Sequence, residues 1–150
     1  MAGVERRRYS TTIAAPVGVV WDTMLGEQTY RLWTRAFDEG SRYEGSWSEG
    51  SRIHFLSSTG DGMVAEIAES RPNAFVSIRH LGMISGGVED TESEAVRRWA
   101  PAYENYSFTP VDGGTRLDVE LDVAPEYEEL MDQAWPRALA RLKELCEGGA

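Results

Sequence analysis

The sequence predicts an α+β fold: a curved antiparallel sheet of about six or seven strands, two short helices after the first strand, and a long C-terminal helix. Two observations carry this. Between residues 41 and 82, short β-rich runs follow one another, separated by clusters of Gly, Pro, Asn and Asp, whose backbone preferences make tight turns. Runs this short favour antiparallel hairpins, because parallel crossovers need a dozen or more connecting residues. The last segment changes period: Leu130, Ala134, Ala138, Leu142 and Leu145 recur at helical spacing.

The elements follow in order. "RRRYSTTI" reads as strand one, with Arg6, Arg7 and Arg8 as its solvated start. Pro16 stands where a first helical turn begins, and "PVGVVWDTML" spaces Val19, Val20 and Met24 as a helix. A second short helix around "EQTYRLWT" keeps Tyr30, Trp33 and Thr34 near one side. "SRYEGSW", "SRIHFLSS", "MVAEIAES" and "AFVSIRHLG" then read as strands. In the third, Met63, Ala65 and Ile67 form the inward set, which leaves Glu66 at the surface; in the second, His54 lies opposite Ile53 and Phe55 and faces outward.

Residues 82–100, with Gly86-Gly87 and the acidic stretch Glu89–Glu94, read as a mobile loop with a helical turn at "ESEAVRRWA". "AYENYSFTPV" and "TRLDVELDVA" are two more strands joined by "DGG", a hairpin signal. The latter alternates Leu117, Val119, Leu121 and Val123 against Arg116, Asp118, Glu120 and Asp122, the pattern of a half-buried strand. In the final helix Pro136 removes a backbone donor and predicts a bend near Trp135.

At 150 residues, with 41% hydrophobic and 27% charged residues, the chain reads as one globular domain over 1–150. Its net charge of −10 repels phosphate backbones and argues against nucleic acid. No apolar run approaches a transmembrane length. The N-terminal stretch lacks an apolar signal core, and Ala2 argues against N-myristoylation. Cys146 is the single cysteine; it has no internal disulfide partner, which fits a reducing cytoplasm. There is no phosphate-binding Gly loop and no nucleophile elbow. With only His54 and His80, no recognisable metal-ligand spacing exists, so neither cofactor nor metal is expected.

The order of elements, together with "VWDTM…YRLW", "EGSRIHF", "RRWAPAYENYSFTPVDGGTRLDVELDV" and "MDQAWPRALARLKELCE", resembles the helix-grip fold of the START-like superfamily. Within it, the chain is similar to the family related to the C-terminal domain of the Hsp90 ATPase activator. The resemblance implies a sheet wrapped around the last helix, with a ligand cavity between them. It puts His80 inward beside Val76 and Ile78, and Glu104 inward with Tyr106 and Phe108, so that His80 and Glu104 approach one another. It also gathers Trp33, Trp47, Trp99, Tyr106 and Trp135 around one interior, either as core or as pocket wall.

Three functions follow as expectations. The first is binding of a small apolar or aromatic molecule or lipid by Trp33, Trp47, His80, Trp99, Glu104, Tyr106, Phe108 and Trp135. The second is a cyclase- or hydratase-like enzyme in which His80 and Glu104 transfer protons; the same pair also reads as two polar side chains satisfying each other. The third is an interaction module for an Hsp90-type chaperone. The eukaryotic activators carry a separate N-terminal domain, for which 150 residues leave no room. Monomer and homodimer both remain open.

Overall fold

Backbone pairing sets the first and last strands side by side in the computed structural model, which describes residues 4–148. Ala2 lies outside the described residues. Strand β1 (Glu5–Ile13) pairs antiparallel with β8 (Gly114–Val123) at one edge. From there the order runs β1-β8-β7-β5-β4-β3-β2, where β2 is Arg42–Gly45, β3 Arg52–Leu56, β4 Gly62–Arg71, β5 Phe75–Ser85 and β7 Ala102–Val111. A short β6 (Val88–Asp90) pairs with the far end of β5. Every pairing is antiparallel.

Helices α1 (Val17–Leu25) and α2 (Glu27–Trp33) follow β1, α3 (Glu94–Arg97) is one turn, and α4 (Glu128–Gly148) closes the chain. The inward residues of β8 and the apolar stripe of α4 meet in one core. Leu117, Val119 and Leu142 are fully buried there, beside Ile13, Val20, Met24, Ile53, Ile67 and Ile78. Each such side chain stabilises the fold by about 1.5–3 kcal/mol.

On α4 the buried stripe is Ala134, Trp135, Ala138, Leu139, Leu142 and Cys146. Leu130, expected in that stripe, is 51% exposed; the buried face of α4 begins at Ala134. Pro136 lies inside the continuous helix on its exposed side. The three arginines of β1 find acids: Arg6 and Arg8 reach Glu120 across the sheet, and Arg7 binds Asp132 on α4.

Residues 82–100 differ from the expected loop. Strand β5 runs on to Ser85, turns at Gly86 and Gly87 and returns as β6. Both glycines have positive φ, 59° and 81°, the geometry of a tight hairpin turn that a side chain resists. Only Thr91–Pro101 remains between strands, and α3 occupies part of it.

The pairing register also shifts between Val64 and Ala65. Ala65 stays in the main core opposite His80 while Val64 is turned to the other face. There Val64, Leu56 and Ile84 form a second small cluster. Val64 is therefore fully buried as well as Ala65 and Ile67, which simple alternation did not foresee. His54 faces the same side and lies 2.6 Å from Glu89.

Candidate functional site

The site begins with strand parity. Ile78 pairs with Glu104 and His80 with Ala102, so His80 and Glu104 are diagonal neighbours on the inward face, within reach of long side chains. Nε2 of His80 lies 3.0 Å from Oε1 of Glu104. The other carboxylate oxygen accepts a hydrogen bond from the Tyr106 hydroxyl. His80 is 7% exposed and Tyr106 2%. In the sheet His80 lies between Ala65 and Ala102, whose small side chains crowd the imidazole least.

Burial raises the pKa of Tyr106 well above the ordinary tyrosine value, and the charge of Glu104 adds to the effect. Tyr30, on α2, is raised for the same two reasons in the same order. Both hydroxyls therefore remain protonated through the physiological range, and Tyr106 is the donor to Glu104.

Aromatic contacts extend this polar chain into a closed circuit. Tyr106 meets Trp135 edge-on at 6.2 Å, and Trp135 meets Trp33 at 5.9 Å. Trp33 meets Tyr30 at 5.4 Å, and Tyr30 lies 6.4 Å from Trp47 and 6.2 Å from Phe55. Phe55 returns to the start, 5.6 Å from the His80 ring. Two of the expected residues stand apart. Phe108 is buried against Trp21 at 5.1 Å. Trp99 is half-buried behind α3 and has no aromatic ring partner among the described residues.

Sequence reasoning missed Tyr30 and Phe55 as members of this circuit. The signals were present: Tyr30 lies one helical turn before Trp33, and Phe55 alternates with His54.

The circuit contains polar atoms that nothing satisfies. Among the described residues, buried side-chain atoms without a hydrogen-bond partner are His80 Nδ1, Trp47 Nε1, Trp135 Nε1 and Arg79 Nε. The first three belong to the circuit. Trp47 Nε1 approaches the Tyr43 hydroxyl without completing a hydrogen bond. Trp33 shows the ordinary solution, donating to the Met24 carbonyl at 3.0 Å. A buried donor or acceptor left unpaired costs about 1–3 kcal/mol, so such atoms are uncommon in a plain core.

Open grooves lie elsewhere. One of about 400 Å³ runs over the outer sheet face past Arg8, Ser10, Arg116, Asp118 and Glu120; another of about 310 Å³ adjoins Arg35 and Glu39. Among the described residues, no helix is long and apolar enough to cross a membrane, and no group of three or more His, Cys, Asp or Glu stands together as a metal-ligand set.

The family described as "Activator of Hsp90 ATPase homolog 1-like protein" matches residues 14–147. No curated protein matches the chain. Among solved structures, protein MLL2253 from Mesorhizobium loti is similar with a TM-score of 0.71 and 15% identity, over 94% of this chain and 96% of that one. The Aha1 dimer from Colwellia psychrerythraea gives 0.68 and 17%, over 97% and 98%. DynU16, described as a protein in the dynemicin biosynthetic locus, gives 0.70 and 18%, over 96% of this chain and 48% of that one. At these identities the likeness concerns the fold alone.

Proposed function

The chain belongs to the family of activator of Hsp90 ATPase homolog 1-like proteins, and on that premise we propose that it binds a small, largely apolar molecule between the sheet and α4. The observation that carries this reading is the set of unpartnered buried polar atoms, His80 Nδ1 and Trp135 Nε1 above all, inside an otherwise aromatic circuit. A ligand with an apolar body and one or two polar atoms removes their cost and keeps the ring contacts.

Trp33, Tyr106 and Trp135 are at most 2% exposed, so a ligand enters by displacing side chains. The half-buried edge at Tyr43, Trp47 and Phe55 is the side that opens at least cost. DynU16, which shares the fold, comes from a biosynthetic locus, a setting that suits handling of small molecules. The chaperone reading has only the family description behind it.

A thermal-shift screen against aromatic metabolites and lipids tests the proposal. A ligand that binds the folded state alone raises the melting temperature, the more so the further its concentration exceeds its Kd, and Trp47→Ala should weaken every hit. Hits that survive Trp47→Ala and Trp135→Phe unchanged bind elsewhere and contradict it.

A further inference from the structure

Resting on that reading, we propose that the ligand carries a hydrogen-bond donor, a phenol or enol O–H, and that His80 Nδ1 accepts it.

The argument runs through the carboxylate. An ionised carboxylate only accepts hydrogen bonds, and Glu104 already accepts one from Tyr106. Its other oxygen, 3.0 Å from His80 Nε2, therefore takes the hydrogen that Nε2 carries. In a neutral imidazole the proton sits on one nitrogen only, and the hydrogen bond made by one nitrogen fixes the role of the other. Glu104 thus places the proton on Nε2 and leaves Nδ1 as a lone-pair acceptor. That atom is buried and unpartnered, in a residue 93% buried by its 7% exposure.

The titratable groups facing this pair are Tyr106 from the same strand as Glu104 and Tyr30 from α2. Both hold their protons, so neither competes for the role of acceptor. Phe55 lies 5.6 Å from the imidazole and supplies a ring surface for an aromatic ligand beside the acceptor. When the ligand hydroxyl is acidic enough, its proton passes to Nδ1 and its electron pair stays on the ligand oxygen. The resulting imidazolium is held by the Glu104 carboxylate.

Two measurements on the unaltered protein test this. Nitrogen-15 NMR of the ligand-free protein at mildly alkaline pH should show His80 as the Nε2–H tautomer; the Nδ1–H tautomer overturns the proposal. Calorimetric titration with 1-naphthol and 1-methoxynaphthalene should show the naphthol tighter by about tenfold or more, because the ether leaves the acceptor unpaired. Glu104→Gln, which releases the tautomer, should erase that preference. Equal binding of both compounds overturns the acceptor role and leaves the binding reading standing. Binding of neither overturns both.

Discussion

His80 on β5 and Glu104 on β7 meet at 3.0 Å inside a circuit of aromatic rings, and the second nitrogen of that histidine touches no partner. One end of the pair is therefore satisfied and structural, while the other is left open. A pair that served packing alone would be closed at both ends.

Replacing Glu104 by Gln keeps an oxygen for the Tyr106 hydroxyl but removes the charge facing His80. The expected loss is about 1–3 kcal/mol, the cost of disturbing a buried charged hydrogen bond. Urea denaturation measures it. Stability equal to the parent's would mean that the carboxylate contributes nothing to the interior.

Trp135 separates volume from polarity. Trp135→Ala empties a site packed by Tyr9, Trp33, Phe37 and Tyr106 and should cost about 3–5 kcal/mol. Trp135→Phe keeps a ring and deletes an N–H that has no partner to lose. It should therefore cost clearly less than the alanine variant. Equal losses would show that the indole N–H is satisfied in solution.

Asp132 predicts an acid-side effect. Its pKa is lowered, first by the hydrogen bond from Tyr9 and then by that from Arg7, with burial opposing both. A carboxylate depressed by folding contributes its stability in full above its unfolded value, here 3.8, and loses it as pH falls through the lower folded value. Asp132→Asn should thus lower the urea midpoint near neutral pH, with the gap to the parent closing below pH 3.8. A gap independent of pH would remove the charge from the explanation.

Gly87 stands at φ 81° with open space around it, so backbone strain alone opposes a side chain. Gly87→Ala should cost roughly 1 kcal/mol and speed amide exchange in Val88–Asp90. Unchanged exchange there would show that the turn tolerates a side chain.

Much of the fold was legible because its signals are local. The alternation of Leu117 to Val123, the "DGG" turn and the helical spacing on α4 each read without tertiary knowledge. The approach of His80 to Glu104 was legible once the neighbouring strands were named, since parity and pairing fix diagonal neighbours. What failed was what depends on register. Val64 keeps the outer face that alternation assigns it, but the partners that bury it there, Leu56 on β3 and Ile84 on β5, come from the pairing, and the acidic residues around Val88 hide the short strand that makes Gly86-Gly87 a hairpin turn. The aromatic circuit was only half legible: the family resemblance implied that Trp33, Tyr106 and Trp135 gather around one interior, but only the packing shows that Tyr30 and Phe55 join them to His80 while Trp99 stays outside.

The measurement that bears most directly on the interior as a binding site is a high-resolution crystal structure of the protein purified from its source. The account predicts density for a small molecule between the sheet and α4, with a polar atom within hydrogen-bond distance of His80 Nδ1. An interior filled only by the protein's own side chains, in a protein that no soaked aromatic compound enters, would contradict it.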